Sequence, residues 1–387
     1  MPSYVQLGRV PRKRHTVFRR PDGALYSEEL MGNKGFEGLS SLLYHVHPPT
    51  RVRWVRTVKD LRWHGADARQ PFHHRHFRTS GLPATGSATL DRIPLLYNAE
   101  VAISFVSPER AEDGFYRNAQ GDEIVYVSDG SGVLESPMGS LEFRAGDYLV
   151  IPRGIVHRYR FASRPVRLLV IESAGDVRTP RRYRNEHGQL LEQAPFSERD
   201  IRHPASLDTR DETGEFPLLI KKDHAIVEYV LDHHPFDVVG WDGYYYPWAL
   251  NIADFEPRVG RFHLPPPTHQ TFEGDGFVVC SFCPRPYDFD QSAVPVPYHH
   301  SNVMSDEVIY YASAEFMSRK GIEYGSITLH PDGIPHGPHP GRVEASLGQA
   351  RTDELAVMLD SFRPLRVSNQ AMSVEDPGYP TSWLDQS

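Results

Sequence analysis

His299, His300, Asp306, Glu307, His330 and His336 fall close together in the C-terminal half of a 387-residue chain that carries 20 histidines. Imidazoles and carboxylates so grouped are ligands for a first-row transition metal. Two imidazoles with one carboxylate make the facial triad of non-haem Fe(II) oxygenases, which leaves coordination positions open for O2 and a second reactant. A lone His–Glu pair would say little, because histidines also serve as core or capping residues. The spacing of these residues has to carry more.

It does so through an internal repeat. The run Gly146-Asp147-Tyr148-Leu149-Val150-Ile151-Pro152-Arg153-Gly154-Ile155-Val156-His157 has a counterpart in Gly325-Ser326-Ile327-Thr328-Leu329-His330-Pro331-Asp332-Gly333-Ile334-Pro335-His336. Glycine, proline, glycine and histidine keep the same spacing in both. Upstream of each, a glutamate opens a strand-like run, at Glu123 and at Glu307. Each piece has a backbone reason. The first glycine starts a strand after a turn, and the proline stands where no ladder N–H is needed. The second glycine permits a tight return, and the histidine opens the next strand. Elsewhere, period-2 apolar alternation recurs at 101–105, 123–127, 148–151 and 167–171. The 33 prolines and 30 glycines are spread along the chain, which favours many short strands joined by turns. Helical periodicity is scarce; its best case, Asp353–Asp360, also reads as a strand.

This repeat resembles the two conserved motifs of the cupin superfamily, small antiparallel jelly-roll barrels. The fold expected is therefore all-β: a bicupin of two antiparallel jelly-roll β-barrels, with an irregular N-terminal extension and linker. The expected division is a β/irregular region at 1–95 packing on the barrels, a degenerate barrel at 96–175, a linker at 176–235, a metal-bearing barrel at 236–345 and a C-terminal strand and tail at 346–387. Cupin spacing makes His300, Glu307 and His336 the metal ligands, with Asn302 where many cupins place another histidine. Asp306 rivals Glu307 and His299 rivals His300. Alignment with Glu123 favours Glu307, and the spacing then selects His300. In the first barrel Tyr116 and Asn118 replace the corresponding ligand positions, so no metal is expected there.

Several segments resemble homogentisate 1,2-dioxygenases more closely. These are Phe236-Asp237-Val238-Val239-Gly240-Trp241-Asp242-Gly243, Pro297-Tyr298-His299-His300 with Asn302, Met304, Ser305 and Glu307, and Ile334-Pro335-His336-Gly337-Pro338. Leu43-Tyr44-His45 and Phe115-Tyr116 extend the likeness loosely into the N-terminal half. That family opens the ring of homogentisate with O2, using Fe(II), to give maleylacetoacetate in tyrosine and phenylalanine breakdown. The resemblance implies His300, Glu307 and His336 as iron ligands and chelation of substrate through a hydroxyl and its carboxylate. It also implies an acid/base histidine, His263 or His269, and substrate contacts from Tyr298, His330 and Asn302. It further implies a homo-oligomer, a trimer or hexamer. Four departures bear on the substrate rather than on the iron: Glu307 is one residue farther from His300 than in the family, and Ser301, Ala314 and Phe316 replace a family arginine, glycine and tyrosine. Rival readings are a cupin dioxygenase for another hydroxylated aromatic acid such as gentisate, a cupin isomerase, and a non-catalytic metal-binding bicupin. Bound-metal analysis and substrate profiles separate them.

Bulk properties exclude other classes. A net charge of −8 provides no global field toward nucleic acid or anionic lipid. The basic run Arg9, Arg12, Lys13, Arg14, Arg19, Arg20 reads as a solvated face. No stretch approaches a membrane span and no apolar leader opens the chain, so a cytoplasmic protein is expected. Cys280 and Cys283 lie in an apolar run and read as buried, reduced thiols. Of the aromatic residues Trp241, Tyr244, Tyr245, Tyr246, Trp248 and Tyr298, more are expected in the core than at a ring-binding pocket.

Overall fold

The computed structural model describes residues 3–35, 37–61, 72–112, 114–264 and 266–384, so 62–71 of the N-terminal region lie outside it. Regular structure in the described residues is almost wholly antiparallel strand. The longest helix, Arg342–Ser346, has five residues, and none is long and apolar enough to cross a membrane.

Two sheets repeat one design. In the first half the order across the sheet is Trp248–Asn251, Asp147–Ile151, Asp122–Asp129, Arg167–Ser173, Val101–Val106, Ile93–Tyr97, with the two-residue strands Ile201–Arg202 and Arg366–Val367 added at its edges. In the second it is Arg75–Arg78, Ser326–His330, Asp306–Tyr311, Ala356–Ser361, Phe277–Phe282, Gln270–Gly274. The registers correspond as well. Glu123 lies opposite Ile151 and Glu172; Glu307 lies opposite His330 and Asp360. Around the first sheet Gly132–Ser136, Gly139–Phe143, Val156–Phe161 and Phe115–Asn118 form the facing wall of the jelly roll. The chain is thus all-β, with two cupin-type barrels.

Period-2 geometry decides which residues join the halves. Val308 and Tyr310 turn toward the first barrel and share one core with Val125, Tyr126 and Tyr148. There the Tyr310 ring lies 6.1 Å from Tyr126, its hydroxyl donates to Ser128 at 2.7 Å, and the Tyr148 and Ser281 hydroxyls meet at 2.8 Å. Cys280, Ile309, Tyr311, Ala356 and Met358 face the interior of the second barrel instead. Both cysteines are free and buried, and burial pushes the Cys283 thiol up to about 11.

The strand pairing departs from the expected division in three places. The span expected to be a linker holds a long hairpin, Thr213–Lys222 with Ala225–His233. Its apolar alternation at Phe216, Leu218 and Ile220 packs on Phe115, but Pro217 and the arginine-rich run before it mask that pattern. Val238–Gly243 and Trp248–Asn251 complete sheets of the first half, pairing with Glu37–His45 and Asp147–Ile151. Ala356–Ser361, expected in the tail, lies at the centre of the second sheet. The barrels thereby exchange outer strands: Arg75–Arg78, which precedes the first barrel in the chain, closes the second, and Trp248–Asn251, which precedes the second, closes the first.

Candidate metal centre

Glu307 sits in the middle of the second sheet with its side chain turned into the barrel and 5% of the residue exposed. His300 and His336 reach it from a two-residue bridge in which each backbone N–H donates to the other's carbonyl, at 2.9 and 2.8 Å. That bridge sets their rings 4.2 Å apart. His300 Nε2 is 3.5 Å from Glu307 Oε2, and His336 Nε2 is 3.3 Å from Oε1. One ligand atom from each of the three lies within 4.8 Å of the others, the sole such cluster of at least three metal-ligating side chains among the described residues.

The rivals have other work. Asp306 accepts from the backbone N–H groups of Asp332 and Leu365 at 2.9 and 2.6 Å. Its repeat equivalent Asp122 does the same for Arg153 and Val177. These aspartates tie the turn beyond the histidine strand to the barrel. His299 is exposed and packs against Gly337, where an added Cβ would lie 2.4 Å from its Nδ1.

The residues present fit a divalent metal. Both His336 ring nitrogens are buried without a hydrogen-bond partner of good geometry, although Nε2 lies 3.3 Å from Glu307 Oε1. An imidazole buried with neither nitrogen bonded is costly, and a cation between these three side chains would take up the Nε2 lone pair. Burial works against the Glu307 charge, yet the three imidazoles around it hold its carboxyl well below the usual range. The third imidazole is His330, whose Nδ1 lies 2.7 Å from Glu307 Oε1 and whose Nε2 lies 3.0 Å from the Tyr379 hydroxyl. A carboxylate only accepts, so Nδ1 carries the proton, and Nε2 accepts from Tyr379. Burial drives His330 well below its ordinary value and keeps it in this neutral form.

His300 and Glu307 form part of the wall of a cavity of about 190 Å3, a volume suited to a small ligand. Ile309, Phe282, Phe316 and Met358 make the lining mainly apolar. Tyr298 and Asn302 line it too. His330 does not: it stands behind Glu307 with both nitrogens engaged, by Glu307 and Tyr379. His263 and His269 both line the cavity and differ in character. His269 is tied to the Ser281 carbonyl at 3.2 Å and driven down to about 3 by burial. His263 has a half-exposed side chain, 3.9 Å from Asp288 and 5.3 Å from the Tyr298 ring. Of the other aromatic candidates, Trp241, Tyr245, Tyr246 and Trp248 belong to the core and Tyr244 is exposed.

The first barrel shows the same frame with another cation. Tyr116 bridges His157 as His300 bridges His336. Asn118 accepts from Gly154 N–H as Asn302 accepts from Gly333 N–H. The Arg92 guanidinium forks onto Glu123 at 2.7 and 2.8 Å, and Asn118 donates to the same carboxylate at 2.9 Å. Burial opposes the Glu123 charge, but the Arg92 charge and its hydrogen bonds prevail and hold the carboxyl at about 2.

Tyr379, Asp360 and Arg319 belong to the site and lie outside every motif read from the sequence. Asp360 alone had a signal: it stands where the repeat places Glu172. Burial and the Glu307 charge push its carboxyl up to about 7.

Residues 38–252 match the family described as homogentisate 1,2-dioxygenase N-terminal. The chain belongs to the homogentisate 1,2-dioxygenase family. A Saccharolobus solfataricus protein provisionally named a dioxygenase is 44% identical over 99% of both chains. Homogentisate 1,2-dioxygenase of Rhodopseudomonas palustris is 25% identical over 94% of this chain and 86% of its own. That of Bradyrhizobium diazoefficiens is 26% identical over 70% of this chain and 62% of its own. Among solved structures, Bacillus subtilis oxalate decarboxylase covers 82% of this chain and 85% of its own at 12% identity, with a TM-score of 0.35. A cupin 2 conserved barrel protein from Leptotrichia buccalis covers 76% and 99%, also at 12% identity and a TM-score of 0.35.

Proposed function

We propose that this member of the family is an Fe(II)-dependent dioxygenase that cleaves the ring of homogentisate with O2 to give maleylacetoacetate. The observation that carries the reading is the convergence of His300, Glu307 and His336 on one another, with His300 and Glu307 lining a small, mainly apolar cavity. In this reading these three side chains hold the iron. Bound there, Fe(II) supplies the one-electron chemistry with O2 that organic side chains lack. His330, held by Tyr379, fixes the orientation of the Glu307 carboxylate. Ile309, Phe282, Phe316 and Met358 pack against the aromatic ring and keep water from it.

His263 is the group we assign to proton transfer at the substrate hydroxyl. It lines the cavity with a half-exposed ring, whereas His269 is pinned to a carbonyl and held neutral as a weak base. Because Phe316 and Ser301 replace polar residues of the family, gentisate and substituted homogentisates are the alternative substrates. The same reading makes the chain a homo-oligomer. The strand Val52–Asp60, exposed along its whole length with Val52, Trp54, Val55 and Val58 on it, is the surface a second copy would cover.

The test is oxygen uptake by protein loaded anaerobically with Fe(II), given homogentisate, with gentisate and the variant His336→Ala in parallel. Expected are rapid uptake with homogentisate, the ultraviolet absorbance of maleylacetoacetate, and at least a hundredfold loss in the variant, because three ligands are the minimum that fixes the ion. Protein shown to hold one iron per chain that consumes no O2 with homogentisate would sink the substrate assignment.

A further inference from the structure

Arg319 has 4% of its surface exposed and lines the same cavity as His300 and Glu307. It sits in the loop between Asp306–Tyr311 and Ser326–His330, which folds back over the barrel mouth. Its Nη1 donates to the carbonyl of Gly337 at 2.5 Å, the residue after His336, and weakly to Ser318 Oγ at 3.4 Å. Its guanidinium carbon stands 5.9 Å from the Trp383 ring. Its Nε is buried and has no hydrogen-bond partner. Among the described residues no carboxylate forms an ion pair with it. Burial opposes its charge, and the Tyr311 hydroxyl beside it, then Tyr379 and Glu307, favour it, but the oxygens of Glu307 face the three histidines.

The other buried guanidinium of the cavity shows the usual solution. Arg285 pairs with Glu354 at 2.8 Å and donates to the Cys283 carbonyl at 3.1 Å. A buried charge without a partner is among the most expensive things a fold can hold, and a guanidinium presents its donors in a fork that matches a carboxylate. A buried guanidinium with a free Nε–H and no carboxylate partner, at the wall of a ligand-sized cavity, therefore asks for an anionic ligand.

We propose that Arg319 is the carboxylate receptor of this cavity and restricts it to aromatic acids. The proposal rests on the cavity being the substrate site and goes beyond it, because it divides the substrate in two. The carboxylate goes to Arg319, the ring lies among Phe282, Phe316, Ile309 and Met358, and the hydroxyl end faces the His300–Glu307–His336 cluster. Chelation through hydroxyl and carboxylate together, which the family resemblance implies, would leave Arg319 unpaired. Neutral hydroquinones, which have no carboxylate, are excluded.

The test compares binding of 2-hydroxyphenylacetate and of its primary amide, by calorimetric titration of metal-free and of Zn(II)-loaded protein. Neither probe is turned over, so the result does not depend on the reaction. Wild-type protein should prefer the acid at least tenfold in both forms. Arg319→Met should bring acid and amide within twofold of each other while leaving the amide within threefold of its wild-type affinity. Arg319→Lys, which keeps the charge and loses the fork, should cut the preference at least threefold; it decides the matter if the methionine variant does not fold. A preference unchanged in both variants would overturn the proposal and send the carboxylate to the metal. Acid and amide lost together, with a lowered Tm, would overturn it in favour of a role pinning Trp383. Wild-type protein that binds neither probe would also overturn it. Wild-type protein that prefers the acid through Arg319 but takes up no O2 with homogentisate would leave this assignment standing and sink only the ring-cleavage reading.

Discussion

Replacing Arg92 by methionine tests whether a guanidinium has taken the place of a metal in the first barrel. Glu123 is 0% exposed, forked by Arg92 at 2.7 and 2.8 Å, and its carboxyl is held at about 2. An unfolded glutamate titrates near 4.3, and each pKa unit is about 1.4 kcal/mol, so the depressed carboxyl contributes on the order of 3 kcal/mol at neutral pH. Its folded pKa lies below the unfolded one, so this stability is fully present above about pH 4.3 and is lost as pH falls toward 2. Methionine fills a similar length but leaves the carboxylate in the core with the Asn118 amide and no countercharge, and breaking a buried pair in this way costs about 3–5 kcal/mol. Equilibrium urea unfolding of metal-free protein should show that loss at pH 7 and a smaller one at pH 4, where the stranded carboxyl can protonate. The double variant Arg92→Met/Glu123→Gln should recover most of it. A loss below about 1 kcal/mol at pH 7, or a double variant no more stable than the single one, would refute the reasoning. So would a second metal ion per chain held at this position by wild-type protein.

Two further predictions concern the second barrel and the N-terminal sheet. Tyr379→Phe leaves His330 Nε2 buried without a partner. It should destabilise the chain by about 1–3 kcal/mol and, by loosening the ring that orients Glu307, weaken metal binding about tenfold; chelator competition on folded protein measures the second effect. His45 is buried between Asp237 and Glu29 at 2.7 and 2.9 Å. Burial lowers its affinity for a proton, but the two carboxylates prevail and raise it to about 9. The folded pKa lies above the unfolded value near 6.5, so about 3 kcal/mol of stability is present below pH 6.5 and lost as pH rises through 9. Urea unfolding from pH 6 to 9.5 should show that decline, and His45→Gln should flatten it; an equally steep decline in the variant counts against the assignment.

The parts of the site that could be read from the sequence are those whose residue types answer a local backbone demand. Gly325 and Gly333 adopt φ of +82° and +76°, so the turns on either side of the histidine strand leave a spacing that survives in both halves. Glu307 opens a strand and is marked by Glu123 doing the same. Residues that act through pairing across the chain left no such trace. Nothing near Arg75–Arg78 says that it closes the second barrel, because a strand's neighbour is chosen by a ladder hundreds of residues away in sequence. Tyr379 and Arg319 reach the site from a tail and a loop, where the spacing follows no period. Asp360 could have been found by extending the repeat to the strand Arg167–Ser173, whose Glu172 takes the equivalent place beside Glu123.

That equivalence leads to a last consequence. Both barrels place a glutamate at the centre of a sheet with a second carboxylate opposite it, and such a pair is tolerated either with positive charge nearby or with one member pushed toward its protonated form, as Asp360 is. The first barrel draws that charge from its own chain, since Arg92 serves Glu123 while Lys221 serves Glu172 at 2.6 and 2.7 Å. The second has no arginine or lysine ion-paired to Glu307 or Asp360 among the described residues. Its carboxylates must look to histidines and to an ion from solution. The two halves therefore differ less in fold than in where their cation comes from. In the first barrel the guanidinium occupies the glutamate's oxygens, whereas in the second the glutamate's oxygens face only imidazoles.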